Sequence, residues 1–355
     1  MRRKRVLVLG AGYFGRLLID DLLRYANCDL IVASRRRFHS TRFETAVADL
    51  WDPPSLERVL AGVNIAICAA GPFQGLPTSL ADLCLRHRVH YIDLADDRSF
   101  VRKVRSLARG AVETAVCTGW STVSALSGVL VQIAAEGLGA IHSIYIHMAP
   151  GNRGARHKAT IASLMHSVGQ QFTVLHDGAW RTVTGWSEPR DFVFPQPVGR
   201  RRGFLVDVPD HEFFPELFGA GTVEFRASSE LPVWNRSVSL LRWLVERRVV
   251  RGWVRWSRVF QRTAALLSWM GHDYGSIGVE VSSGARRQAS IVADFTAERM
   301  AVMPASIMTN LLLAGAEYQQ YQQFRGLVSP ANWLTREQLM TECTKRGFRL
   351  IVEEL

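Results

Sequence analysis

The sequence predicts an α/β fold in which a doubly wound parallel sheet is followed by a second, α+β domain whose sheet is mostly antiparallel. Three observations carry that expectation. Short Val/Ile/Leu runs alternate with helix-period segments through the first 120 residues. The glycines of "GAGYFG" fall where the first run meets the first helix, and beyond residue 121 the apolar runs become short, closely set strands with Gly/Pro punctuation. At 355 residues, 48% of them apolar, the chain can bury two cores. The expected division is 1–122 for the parallel-sheet domain, 123–300 for the α+β domain, and 301–355 as helices and a strand that pack back on the first.

Lys and Arg together number 43 against 32 for Asp and Glu, a net charge of +11 that favours anionic partners: phosphorylated cofactors, acyl carriers, lipid head groups or nucleic acid. No nucleic-acid module signature accompanies the charge, so nucleic acid is not expected as a partner. Cys28, Cys68, Cys84, Cys117 and Cys343 stand far apart, with no C-x-x-C pair and no His at ligand spacing. This predicts a reduced, cytoplasmic setting and no metal. "MRRKR" leads within a few residues into an apolar run of five, too short for a secretory core, and no window reaches the roughly 18 uncharged apolar residues of a spanning helix.

Residues 5–9 read as a strand covered on both faces and 14–25 as a helix, so Gly10, Gly12 and Gly15 sit on a strand-to-helix turn. That context turns a weak spacing into a dinucleotide site. Gly10 permits the tight turn, Gly12 lets the backbone approach a pyrophosphate, and Gly15 allows close packing of helix on strand. The helix start at Tyr13 and Phe14 then presents N–H groups to the phosphates, which makes the sheet Rossmann-type. A second strand, 30–33, ends in Ser34, Arg35, Arg36 and Arg37, where NAD-binding chains carry an acid for the ribose 2′-hydroxyl. A hydroxyl followed by guanidinium groups suits a 2′-phosphate instead, which predicts NADP(H).

Residues 46–50 read as a third strand, 54–60 as a helix and 63–70 as a fourth strand. Asp49 can accept from an adenine amino group or cap the next turn. Ala69, Ala70 and Gly71, then Pro72 and Phe73, leave room for the nicotinamide ribose at the carboxyl end of the sheet. A helix at 80–87 and strands at 89–94 and 114–117 complete the alternation.

"GAGYFGRLL", "AAGPFQG", "HYIDLADDRSFV" and "GWSTVSALSG", in that order, resemble the saccharopine dehydrogenase-like oxidoreductases with an NADP-binding domain. The likeness covers about the first 130 residues and continues more loosely through "APGNRGARHKATIASLMHSVG" and "GLVSP". It implies a Rossmann domain, a second α+β domain that dimerises or holds substrate, and a nicotinamide-dependent reductase or dehydrogenase. Relatives include imine reductases for amino acids and enoyl reductases for acyl chains. Many relatives read "D-L-x-G-E" where this chain has Asp93, Leu94, Ala95, Asp96 and Asp97.

In the second half, residues 123–136 read as a helix, 141–148 as a strand and 155–169 as a helix; short strands follow near 172–175, 179–183, 191–194 and 223–227. Residues 278–281 and 288–295 suggest a hairpin, 303–324 a long helix, 336–345 another, and 348–352 a last strand. Arg153, Arg156, His157 and Lys158 are the densest cationic and titratable set. Arg153 and Arg156 are the candidates for a substrate carboxylate or thioester, and His157 or Lys158 for proton transfer, with Tyr91 and Ser121 behind them. The same positions also suit a solvated helix start.

Residues 236–270 interleave Trp243, Trp253, Trp256 and Trp269 with arginines and one acid. Such a mixture suits peripheral contact at the inner face of a membrane, the lining of an acyl tunnel, or core helices with an arginine-rich outer face. The whole reading is an NADP(H)-dependent oxidoreductase, a homodimer, acting on a C=N, C=C or C=O bond of an acyl or small-molecule substrate. An amino-acid imine reductase and a non-catalytic NADP-binding regulator are the alternatives.

Overall fold

A computed structural model of the protein describes residues 3–153, 158–250, 252–253, 256–315 and 324–355. The amino-terminal sheet forms from apolar runs, as expected of strands buried on both faces. Its elements are β1 (Arg5–Leu9), α1 (Tyr13–Tyr25), β2 (Asp29–Ser34), β3 (Glu44–Val47), α2 (Pro53–Leu60), β4 (Ile65–Cys68), α3 (Ser79–Arg86), β5 (His90–Asp93), α4 (Arg98–Leu107) and β6 (Ala115–Cys117). All pairs are parallel, in the order β3-β2-β1-β4-β5-β6. The order reverses between β1 and β4, which is where an open α/β sheet binds its ligand, beyond the carboxyl ends of the strands. Val6, Leu7, Val8, Ile65, Ala66 and Ile67 are buried at its centre.

The second unit comprises α5 (Ala125–Ala135), β7 (Ser143–Ala149), α6 (Lys158–Ser167), β8 (Gln171–His176), β9 (Ala179–Thr184), β10 (Arg190–Val193), β11 (Arg200–Leu205), α7 (Asp210–Phe218), β12 (Thr222–Ser228), α8 (Pro232–Glu246), α9 (Ser257–Leu267), β13 (Gly275–Ser283) and β14 (Ala285–Ala293). Then come α10 (Met303–Ala314), β15 (Gly326–Leu327), α11 (Arg336–Lys345) and β16 (Phe348–Glu354). The second sheet runs β10-β11-β12-β7-β13-β14-β16, with β8 beside β12 and β9 beside β8. Its pairs are antiparallel apart from β12 with β7, so the sheet is mixed. Period-2 alternation places Ile144 and Ile146 in one buried layer, while His147, Glu224 and Arg226 are buried as polar groups. Glu224 is compensated there by Arg226, Arg181 and His176.

By their internal contacts, residues 1–126 and 299–330 form one unit, and 127–298 and 331–355 the other. The segment from 301, read above as one tail, is therefore divided. In the first unit, β15 extends the parallel sheet beside β6, and Asn310 of α10 donates to the Tyr25 carbonyl at the end of α1 (3.2 Å). In the second, β16 pairs with β14, and α11 is started by a capping box between Thr335 and Gln338. The long helix expected over 303–324 is seen as Met303–Ala314; residues 316–323 lie outside the described residues.

The arginine-rich run resolves into α8 and α9. Their inner sides, Trp234, Leu241, Leu244, Val245 and Phe260, pack on a core that includes Ile161, Met165, Phe204 and Trp253. Among the described residues, no helix is long and apolar enough to cross a membrane.

Candidate functional site

Three glycines shape the carboxyl end of β1, each by a different steric demand. Gly10 has φ +118°, and a Cβ there would stand 2.7 Å from the Ala69 carbonyl carbon, inside van der Waals contact. A Cβ on Gly15 would meet the Gly10 oxygen at 1.9 Å, so α1 can lie on β1 only with glycine at this position. Gly12, the N-cap of α1, has nothing within 4 Å of its Cβ position. Two glycines are thus consumed by chain packing, and the third leaves open space where backbone meets solvent.

The same edge is tied laterally. The Gly10 amide donates to the Ala33 carbonyl (2.9 Å) and the Ala69 amide to the Leu9 carbonyl (2.8 Å), which joins the ends of β2, β1 and β4. With glycine as its N-cap and no acid in its first turn, α1 carries no side-chain cap at Tyr13 and Phe14. A helix start of that kind is suited to a phosphate.

Ser34 ends β2, and its hydroxyl donates to the Arg36 carbonyl (2.6 Å), so the proton that a phosphate would accept is already engaged. Arg35 and Arg36 are exposed and have no carboxylate partner among the described residues. They are the groups left to meet an anion. Asp49 accepts from the Trp51 amide (3.1 Å), which places it in the turn leading to α2. After β4, Ala69 is buried, Ala70 half-buried, and Gly71 and Pro72 exposed. Phe73 turns inward, edge-on to Phe100 at 5.1 Å.

Asp93, at the end of β5, is a group that the sequence reading did not single out. Its Oδ1 accepts from the Gly119 amide (2.8 Å) and the Ala95 amide (3.0 Å), pinning the loop after β6 to the loop after β5. Complete burial pushes this carboxyl up to about 6. Tyr91 is buried beside it. Burial and the Asp93 charge hold its phenol well above the ordinary range, so it is a core residue and a poor proton donor. Ser121 donates to the Ala301 carbonyl (2.9 Å), a structural use.

In the second unit, Arg156 and His157 lie outside the described residues, as does the side chain of Lys158, the first residue of α6. Arg153 is exposed and faces Asp273 at 3.7 Å. Next to it stands a pair that sequence reading missed. Glu230 Oε2 accepts from the Asn152 amide (2.8 Å) and the His272 amide (3.0 Å), while Oε1 meets His272 Nδ1. Burial alone would raise Glu230, but the His272 and Asn152 donors overcome it and hold the carboxyl below its usual range. An ionised carboxylate only accepts, so Nδ1 carries the proton and Nε2 is left on an exposed ring, stacked on Tyr274 at 4.6 Å. A carboxylate-oriented imidazole of this kind can exchange a proton. The two partners are 42 residues apart, and no motif links them; the one local sign is a titratable run, "GHDYG", set between glycines.

Residues 6–116 match the family model described as the saccharopine dehydrogenase NADP binding domain. The cofactor of this sheet edge is accordingly NADP(H), in agreement with the acid-free, arginine-bearing end of β2. No curated protein matches the sequence. Among solved structures, the chain is similar to apo saccharopine dehydrogenase (L-Glu forming) from Saccharomyces cerevisiae. The identity is 13%, over 99% of this chain and 100% of that one, with TM-score 0.64, a likeness of fold. Weaker likenesses are an engineered D-amino acid dehydrogenase bound to NADP+ (14%, 96% and 99% covered, TM-score 0.45) and a dehydrogenase, MviM, from Clostridium difficile (7%, 96% of each chain, TM-score 0.41).

Proposed function

We propose that this chain, whose residues 6–116 match the saccharopine dehydrogenase NADP binding domain, is a saccharopine dehydrogenase-like, NADP(H)-dependent oxidoreductase acting on a C=N, C=C or C=O bond. The observation that carries the reading is the division of labour among the glycines: Gly10 and Gly15 are fixed by packing, and Gly12 alone is open. Gly10, Gly12, Tyr13, Phe14 and Gly15 would hold the pyrophosphate, Arg35 and Arg36 the 2′-phosphate, and residues 69–73 the nicotinamide ribose. When bound, the nicotinamide supplies or accepts a hydride.

The chain's own share is orientation and a proton for the atom bonded to the reacting carbon. His272, with Glu230 fixing its tautomer, is the described group best built to hold that proton at Nε2; His157 and Lys158 are the alternatives from sequence, and Arg153 and Arg156 the candidate anchors for a substrate anion. The family likeness is compatible with an acyl substrate and with an amino-acid imine. Neither is favoured by a contact in the structure.

Titration of nicotinamide fluorescence tests the cofactor reading. Replacing Arg35 and Arg36 by Ala should weaken NADPH by about 1 to 3 kcal/mol and leave NADH almost unchanged, as expected for lost charge-assisted hydrogen bonds. Equal losses for both cofactors would sink the assignment. With whichever oxo acid and amine, enoyl thioester or aldehyde first supports NADPH oxidation, His272→Asn should lower kcat by about 10²- to 10⁴-fold at unchanged NADPH affinity. An unaffected kcat would return the proton to His157 or Lys158.

A further inference from the structure

The outer faces of α8 and α9 carry more exposed apolar surface than folding uses. Eight of the eighteen large apolar side chains exposed among the described residues fall between Leu240 and Met270. Five of the eight, Leu240, Trp243, Val259, Leu266 and Trp269, are ordered by helical spacing. On α8, Arg236, Leu240, Trp243 and Arg247 follow one another at intervals of four, three and four, which puts them on one stripe. On α9 and just beyond it, Val259, Arg262, Leu266 and Trp269 follow at intervals of three, four and three, with Arg258 one turn before Arg262. Trp243, Trp256 and Trp269 are 48%, 54% and 74% exposed, and Arg247 lies over the Trp243 ring at 5.8 Å. The opposite sides of both helices are packed in the core, so the stripe is surplus to the fold.

Charge decides what covers it. Residues 232–270 contain eight arginines and one acid, Glu246, which faces Arg242 at 3.7 Å. Tryptophan and arginine also occur at protein interfaces, but apposing this stripe to a second copy of itself would set arginine against arginine, with Glu246 the one acid to offset them. An anionic lipid surface meets both halves of the pattern, with indoles at head-group depth and guanidinium groups on phosphates. We infer that the outer face of α8 and α9 is a docking surface for an anionic bilayer. The chain then lies on the membrane through this face, without crossing it.

Flotation of the full-length protein with vesicles of about one-third phosphatidylglycerol in phosphatidylcholine tests this, with phosphatidylcholine alone as control. The protein should float with the mixed vesicles and remain below with the neutral ones. Replacing Trp243, Trp256 and Trp269 by Ser should lower partitioning at least about tenfold. Replacing Arg236, Arg247, Arg258 and Arg262 by Gln should lower it by about a hundredfold or more, each arginine near an anionic surface being worth about fivefold. Both variants alter exposed side chains, and thermal melting with NADPH binding in the same samples shows that they are folded and keeps the outcome separate from the cofactor reading. The inference is overturned if the protein stays below with anionic vesicles, if folded variants float as well as the parent, or if the Trp variant splits a dimer while vesicle binding persists.

Discussion

Asp93 is fully buried, accepts from two backbone amides through one oxygen, and titrates at about 6 instead of 3.8 because burial disfavours its charge. Between those values the folded protein keeps a proton that the unfolded chain has released. Stability from this group is therefore present at low pH and lost as pH rises through about 6, by about 3 kcal/mol at neutrality. His90, on the same strand, has the opposite sign. Burial, with Lys4 adding to it, lowers its imidazole to about 4 while Nδ1 accepts from the Ala115 amide, so its contribution is present above 6.5 and lost as pH falls toward 4. The two slopes oppose each other between about 4 and about 6. Asp93→Asn keeps the acceptor and removes the titration. Relative to the parent, the variant should gain about 3 kcal/mol in urea melts between about pH 4 and pH 7, and its own stability should fall steeply in acid through His90. A pH-independent difference would refute this account. Neither residue could be singled out from the sequence, because nothing in "HYIDL" says that its carboxylate will be the hinge of two loops. Gly10, Gly12 and Gly15 were legible because a turn between strand and helix imposes its sterics on consecutive residues.

For the strand-turn-helix element, the sterics give a paired test. Gly15→Ala places a methyl 1.9 Å from a carbonyl oxygen and should unfold or strongly destabilise the first unit. Gly12 has φ −71°, ordinary for any residue, and open space around it, so Gly12→Ala should melt within about 1 kcal/mol of the parent and yet lose NADPH affinity. Circular dichroism and fluorescence titration on the two proteins check this; a Gly12→Ala variant that binds NADPH normally would move the pyrophosphate elsewhere. The parallel strands could be read in advance because both faces are covered and their residues are uniformly apolar. α4 and β11 could not. The apolar stripe of α4, Phe100, Val101 and Val104, is narrow among arginines, and β11 opens with three arginines whose place is explained across the sheet, where Arg202 meets Asp191 of β10. Spacing along the chain carries no record of such cross-strand pairing.

At the scale of the whole molecule, the nucleotide-binding unit is not one stretch of chain. Residues 299–330 return to it and supply α10 and β15; Arg299 pairs with the buried Asp21 (3.3 Å), and Lys4 donates to the Leu313 carbonyl (2.7 Å). Residues 1–126 alone would uncover the faces that bury Asp21 and the edge of β6. Such a fragment should bind NADPH weakly or not at all, and adding a peptide of residues 299–330 should restore binding; full affinity in the fragment alone would show the returning segment to be dispensable. The sequence indicated that the tail belongs with the nucleotide domain but not that it divides near residue 330, since the turn there carries no change of composition. The same discontinuity sets a clock on synthesis. A ribosome adding about 5 to 20 residues per second delivers β15 some 10 to 40 s after β6, so the nascent sheet waits with an open edge while residues 127–298 of the second unit emerge. On the binding behaviour expected of the fragment, cofactor capture would begin only once residues 299–330 have been made, and a prematurely terminated chain is left with the edge of β6 unsealed.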